Sequence, residues 1–236
     1  WKGWAETSLY TRRCLDICSE KNTSDESMHR KYQNRQCLIC HKELNQETSL
    51  FHLLYPRSLC LDCLSKFEVV SQKTPLLGYS TYVLYKYNDF FRTTLYQYKA
   101  LDDYALKDVF LENFPELKKV YKNDTIVIIP SSQKDNVRRG FCPNEEIVKT
   151  ISKNIFTGLY KNKEYKQTKQ KDRNQVHKFL SIHHGSLLTN KNILIFDDVM
   201  TSSHTLQAAI KLVEKYHPKR IRVLVLACPH IKNFIN

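Results

Sequence analysis

The chain has 236 residues, enough for one sizeable hydrophobic core and a small additional module. Its 37 Lys and Arg residues outnumber 24 Asp and Glu residues, and the formal net charge of +13 favours a polyanionic partner over a neutral one, unless the charge is only a solvated surface. The sequence contains no apolar stretch of the ~18–20 residues that cross a membrane and no signal-peptide pattern at its start, so we expect no membrane insertion and a cytoplasmic location.

The first segment of the chain, residues 1–36, is polar and shows neither a helical nor a strand period. Such a composition cannot bury enough apolar surface to fold, and the segment is predicted to be poorly ordered. The chain starts with Trp1 and its first methionine is Met28, so a non-native extension or part of a longer reading frame is a second interpretation of this segment.

Two closely spaced cysteine pairs follow, and they define a predicted module at residues 37–72. Two residues between paired thiolates, with a longer separation between the pairs, is typical of a four-thiolate Zn²⁺ site. So short a module needs a metal because it cannot bury a sufficient core. Four thiolates leave no open position, so the zinc is predicted to be structural; redox chemistry at a Cys-x-x-Cys pair is the alternative. The predicted ligands are Cys37, Cys40, Cys60 and Cys63.

Residues 79–236 are predicted to form one α/β domain with a parallel sheet flanked by helices. Aromatic and β-branched residues at 79–87 favour a strand, and short apolar runs favour fully buried strands further along the chain. Because strands alternate with helices, the connections should be βαβ units. The other predicted strands are 125–130, 192–197 and 220–228; the predicted helices are 90–114, broken near 101–103, then 144–155 and 204–216.

Two segments of this domain lack any apolar period. Residues 131–141, with the sequence SSQKDNVRRGF, are predicted to be a loop. Residues 160–178 are rich in lysine and include Tyr160 and Tyr165, so they are predicted to be a mobile loop or a surface hairpin. Lysines interleaved with tyrosines are compatible with single-stranded DNA contacts, and a solvated loop is the alternative.

The strand at 192–197 leads into two adjacent carboxylates and a turn of small hydroxyl residues. A strand–turn–helix corner offers free backbone N–H groups and the positive end of the helix dipole to a phosphate. Adjacent carboxylates can accept hydrogen bonds from ribose hydroxyls or hold Mg²⁺. The pattern predicts a site for ribose 5-phosphate, with an ordinary Ser/Thr-capped corner as the alternative. Its residues are Asp197, Asp198, Thr201, Ser202, Ser203, His204 and Thr205.

This stretch resembles the phosphoribosyl pyrophosphate (PRPP) motif of type I phosphoribosyltransferases, in which a hydrophobic strand and two acidic residues precede Thr-x-Gly-x-Thr. The resemblance implies that Asp197 and Asp198 contact the ribose and stabilise charge during transfer, while the turn holds the 5-phosphate. The motif's central glycine is Ser203 here. A serine there costs about 1 kcal/mol or more if positive φ is required, and is harmless if the backbone is helical.

With the cysteine module in front, the chain resembles the ComF family of competence proteins. Further matches are the segment 85–103, which contains "YKALDD", and the segment 126–141, which contains an Arg-Arg-Gly-Phe pattern. The resemblance implies a PRPP site that includes Mg²⁺, pyrophosphate contacts from Arg138 and Arg139, and a role in taking up single-stranded DNA. It also implies a DNA-uptake helicase as a partner.

Three functions remain open from the sequence. The leading hypothesis is a competence factor that binds PRPP and assists single-stranded DNA uptake in natural transformation. The alternatives are a metabolic phosphoribosyltransferase of nucleotide salvage, and a zinc-dependent nucleic-acid-binding protein with a vestigial pocket. Whether the domain transfers a phosphoribosyl group at all is left undecided, because no motif identifies an acceptor site.

Overall fold

The protein is described here from a computed structural model. The structure describes residues 36–44, 57–161, 180–201 and 203–229. The predictions for the N-terminal segment, for the lysine-rich segment beyond Lys161 and for Ser202 lie outside these residues.

The described residues form six helices, two short 3₁₀ helices and eight strands. The helices are α1 (Leu61–Lys66), α2 (Asp89–Ala100), α3 (Leu117–Val120), α4 (Gln133–Arg139), α5 (Pro143–Val148) and α6 (His204–Glu214), with short 3₁₀ helices at Tyr104–Asp108 and Gly185–Leu188. The strands are β1 (Val69–Leu76), β2 (Tyr79–Lys86), β3 (Thr125–Ile128), β4 (Ile155–Phe156), β5 (Leu159–Lys161), β6 (Leu180–Ile182), β7 (Asn192–Val199) and β8 (Arg220–Cys228).

Six of these strands form one sheet in the order β1-β2-β8-β7-β3-β4. All neighbours are parallel except β1 and β2, which are joined by a tight antiparallel turn at Gly78, where φ is +81°. β5 and β6 form a separate antiparallel pair. The structure therefore confirms the predicted α/β class with a mainly parallel sheet, and it adds β1, an edge strand that the sequence analysis did not predict.

Both faces of the sheet are covered, which explains why its central strands are apolar along their whole length. Alternate residues of a strand point to opposite faces. In β7, Leu194 and Phe196 lie in one core cluster while Ile193 and Ile195 lie in the other. Parallel sheets are stable in this arrangement because the crossover helices exclude water from both sides.

Two predicted elements were wrong. The predicted loop at 131–141 contains α4, which begins after Ser132 and ends at Gly140; with φ at +77°, this glycine closes the helix in the left-handed region. The predicted helix at 144–155 ends at Val148, because Ile155 pairs with Ile126 as part of β4. The sheet thus overrides the helical spacing of isoleucines in that segment.

The topology determines which side chains can meet at the end of the sheet. β3, β7 and β8 are parallel neighbours, so their carboxyl ends lie at one edge, where open parallel sheets usually bind ligands. The longest described helix, α2, has 12 residues, and none of the described helices is long and apolar enough to span a bilayer.

Candidate functional site

The four predicted zinc ligands converge at the start of the described chain. The sulfur atoms of Cys37, Cys40, Cys60 and Cys63 all lie within 4.8 Å of one another, and Cys40 and Cys60 Sγ are 3.6 Å apart. Tetrahedral Zn²⁺ with Zn–S bonds of about 2.3 Å requires sulfur separations of about 3.8 Å. The donor set and its spacing therefore fit a zinc ion.

The charge state of these thiols also favours a cation. Burial opposes ionisation of the Cys37 thiol, but hydrogen bonds from the backbones of Cys40, Cys60 and Ile39 outweigh it and lower the pKa of Cys37 to about 6. Burial and the neighbouring sulfurs raise the pKa of Cys63 well above its usual range. The first thiolate forms readily, and its negative charge disfavours ionisation of the other thiols. A divalent cation is therefore needed for all four thiols to ionise.

The cysteine module packs onto the α/β domain through apolar and polar contacts. Leu59 and Phe67 are fully buried in the same core cluster as Phe91 and Phe110, and the Phe67 and Phe91 rings are 6.1 Å apart. Glu112 accepts hydrogen bonds from the backbone N–H groups immediately before Cys60, at 3.2 Å and 3.3 Å. Burial raises the pKa of Glu112 to about 7. The four-cysteine cluster thus rests on the domain core.

The two aspartates occupy the carboxyl end of β7, as the sequence predicts. Asp198 is buried and Asp197 is half-buried. Each carboxylate accepts a hydrogen bond from the backbone N–H of the next residue. The Asp198 N–H donates to Asp197 Oδ1 at 3.0 Å, and the Val199 N–H donates to Asp198 Oδ1 at 2.8 Å. These bonds orient both carboxylates at the end of the sheet.

Asn144, in the first turn of α5, hydrogen-bonds to Asp197. Its Nδ2 donates to Asp197 Oδ1 and to the Ile129 carbonyl, at 3.2 Å each. Burial raises the pKa of Asp197 above its usual range, and the adjacent Asp198 carboxylate adds to this effect. The acidic pair therefore resists carrying two full negative charges unless a cation approaches it.

A lysine that the sequence analysis did not assign completes this cluster. Lys99, in the last turn of α2, donates through Nζ to Asp198 Oδ2. Arg139 donates through Nε to the carbonyl of Lys99 and lies 3.7 Å from Asp102 Oδ1. The sequence signal was the Tyr-Lys dipeptide of the 85–103 segment, but only the fold brings it to β7.

The two predicted pyrophosphate arginines differ in their surroundings. The Arg139 side chain is only 10% exposed and is engaged in holding the end of α2. The Arg138 side chain is 52% exposed and donates from Nη1 to Asp102 Oδ2 at 2.7 Å. Arg138 is therefore the one that a solvent-borne anion can reach.

The hydroxyl-rich turn leads directly into α6. Thr201 and His204 are exposed, and Ser203 and Thr205 are half-buried. Ser203 has φ −62° and ψ −3°, in the helical region, and its Oγ accepts a hydrogen bond from Gln207 Nε2 at 2.8 Å. The backbone here does not need glycine, so the serine Cβ causes no conformational strain.

Comparison with known proteins gives two findings. Residues 118–233 match the model of the phosphoribosyl transferase domain. The chain is also similar to the protein named Competence protein ComFC of Streptococcus pneumoniae (strain ATCC BAA-255 / R6), with 27% identity over 151 residues, which cover 64% of this chain and 69% of that protein. The domain match contains the whole acidic pair and turn, and it also contains Arg138 and Arg139.

Proposed function

Because residues 118–233 of this chain match the model of the phosphoribosyl transferase domain, we propose that the chain binds PRPP at the carboxyl end of β7. The observation that supports this most directly is the oriented pair of Asp197 and Asp198 immediately before a small, hydroxyl-rich turn into a helix. Vicinal ribose hydroxyls match paired carboxylates, and a 5-phosphate matches the free N–H groups at the start of α6.

Mg²⁺ and the pyrophosphate are assigned to neighbouring groups in this proposal. Asp197 and Asp198 supply the hard oxygen ligands that Mg²⁺ prefers, and the ion, when bound, would neutralise phosphate charge. Arg138 contacts the pyrophosphate, since its guanidinium is exposed and fork-shaped. Arg139 acts as a support for α2. Thr201, Ser202, Ser203, His204 and Thr205 surround the 5-phosphate.

The biological role that we propose is that of a competence factor for single-stranded DNA. The similarity to Competence protein ComFC supports it, and the net charge of +13 is compatible with a polyanion. In this proposal residues 37–72 form a structural zinc module on the domain at 79–236. A DNA-uptake helicase remains a proposed partner by analogy alone.

The test of the ligand uses calorimetry on the full, zinc-loaded chain with PRPP and Mg²⁺. Wild type is expected to give saturable heat, and Asp198→Asn is expected to weaken binding by about tenfold or more, because a charged hydrogen bond contributes roughly 1.5–3 kcal/mol. Asp89→Asn is the matched control, since the Asp89 side chain is 94% exposed and forms a surface ion pair with Arg92.

Several outcomes separate the three functions. No heat from wild type, with single-stranded DNA still bound, would favour a nucleic-acid-binding protein whose pocket is vestigial. Consumption of PRPP on addition of a purine or pyrimidine base would favour nucleotide salvage. PRPP binding without turnover, together with DNA binding that weakens steeply with salt, is the result expected of the competence factor.

A second prediction concerns the glycine position of the motif. Ser203→Gly is expected to change PRPP affinity by less than about threefold, because the backbone at this position is already helical and the Cβ is tolerated. Loss of the Gln207 hydrogen bond should lower the free energy of unfolding by about 0.5–1 kcal/mol. Calorimetry and denaturant unfolding measure the two quantities. A tenfold gain in affinity would show that the serine obstructs the phosphate.

A further inference from the structure

The described ion pair between Lys99 and Asp198 joins positions 99 residues apart. The Asp198 side chain is 9% exposed and the Lys99 side chain 26% exposed, so water screens this pair less than a surface salt bridge. The lysine ammonium contacts the carboxylate oxygen Oδ2, while Oδ1 accepts the Val199 N–H. Lys99 therefore contacts the carboxylate oxygen of Asp198 that does not accept the Val199 backbone N–H.

The position of Lys99 is fixed from several sides. Tyr98, its buried neighbour in α2, donates from its hydroxyl to the carbonyl of Pro143 at 2.9 Å. Arg139 binds the Lys99 carbonyl, and Arg138 and Arg139 both contact Asp102 just beyond the helix. The last turn of α2 is thus attached to the 138–143 segment. These contacts fix the backbone of Lys99, so the position of its ammonium near β7 does not depend on the flexible side chain alone.

A cation at this place resolves an electrostatic conflict. Asp197 is half-buried and the adjacent Asp198 is buried, and two neighbouring carboxylates in such a setting repel each other. Lys99 compensates one of the two charges. A divalent cation would do the same, but two cations at one carboxylate oxygen repel each other in turn.

We propose that Lys99 is the resident counter-ion of the acidic pair. It competes with Mg²⁺ for Asp198, and it keeps the pair able to receive a polyanionic phosphoribosyl ligand when free Mg²⁺ is scarce. Lys99 is thus a positioning residue that sets the metal requirement of the site. The ligand half of this inference rests on the proposed PRPP function, whereas the metal half does not.

The inference predicts opposite changes in two binding constants when Lys99 loses its charge. In Lys99→Met, affinity for Mn²⁺ alone, used as a spectroscopic substitute for Mg²⁺, should rise by about tenfold. PRPP affinity in the absence of divalent cations should fall by about tenfold, and it should recover at saturating Mg²⁺. Lys99→Arg should behave like wild type in both measurements, because the charge is retained.

The experiment uses the full, zinc-loaded chain, with Mn²⁺ binding followed by electron paramagnetic resonance and PRPP binding by calorimetry. Lys86→Met is the matched control, because Lys86 also forms an ion pair near a strand end but with Glu68, at 3.0 Å. It removes the same charge and should leave both affinities unchanged. Melting temperatures of all variants identify any loss of folding, and Lys99→Gln, which also removes the charge, provides the second test if Lys99→Met is unstable.

The outcomes distinguish this inference from the proposed function. If wild type binds no PRPP at any Mg²⁺ concentration, the proposed function fails, while the Mn²⁺ measurement still tests Lys99. If Lys99→Met leaves Mn²⁺ affinity unchanged, or lowers it together with PRPP affinity, Lys99 is only a structural contact and the inference is overturned.

Discussion

Cys63→Ser is expected to lower the melting temperature of the whole chain by about 10 °C or more, because loss of several kcal/mol shifts a domain of this size by roughly 2–4 °C per kcal/mol. Structural zinc contributes about 10–16 kcal/mol of apparent binding free energy in isolated fingers, comparable to the total stability of a domain. Loss of zinc should destabilise the α/β domain as well as the cysteine module, because the two share one core cluster. The module contributes Cys37, Leu59, Cys63 and Phe67 to it.

Zinc content by mass spectrometry and melting by circular dichroism measure this effect. Wild type should contain about one zinc per chain, and chelation should reproduce the melting temperature of Cys63→Ser. Cys142→Ser is the control, because Cys142 lies outside the four-cysteine cluster and serine is well suited to its place before α5. An unchanged melting temperature after complete zinc removal would contradict the expectation that the metal supports the core.

Arg222→Met is expected to lower the free energy of unfolding by about 3–5 kcal/mol, because it leaves a buried carboxylate without its cation. Arg222 on β8 donates from Nη2 to Asp124 Oδ2 at 2.6 Å, and Asp124 is almost completely buried. The guanidinium also lies over the ring of Tyr121, 4.5 Å from its centroid. Urea unfolding, monitored by far-UV circular dichroism, measures the change in the free energy of unfolding.

A double variant separates the loss of the pair from the cost of the unpaired charge. Asp124→Asn with Arg222→Met should be less destabilised than Arg222→Met alone, since the buried charge is removed together with its partner. Lys86→Met breaks an exposed pair and should cost no more than about 0.5 kcal/mol. Equal costs for Arg222→Met and Lys86→Met would show that burial of Asp124 does not matter.

Much of the fold follows from local patterns. The apolar runs of β3, β7 and β8 are recognisable because a strand covered on both faces lacks polar alternation. The two Cys-x-x-Cys pairs and the paired aspartates are equally local, since both sites depend on short, fixed spacings. The α4 helix was missed although Ser132 and Gly140 flank it as start and stop signals, because its interior has no apolar face.

The residues that organise the site could not be found in this way. Lys99 meets Asp198, Asn144 meets Asp197, and Arg139 meets the end of α2 only after the helices pack on the sheet. The members of each pair are far apart in the sequence, so no local pattern connects them. In addition, lysine or asparagine on a helix is usually exposed to solvent. The helical backbone of Ser203 is likewise a property of the folded turn.

The sequence by itself determined the α/β class, the cysteine cluster and the place of the acidic pair at a strand end, because each depends on residues close together in the chain. Only the tertiary structure decided that a lysine neutralises Asp198, that Arg138 rather than Arg139 is exposed, and that the cysteine module shares the domain core. Charge compensation and burial depend on distances in space, and those are fixed only when parallel strands bring their carboxyl ends together.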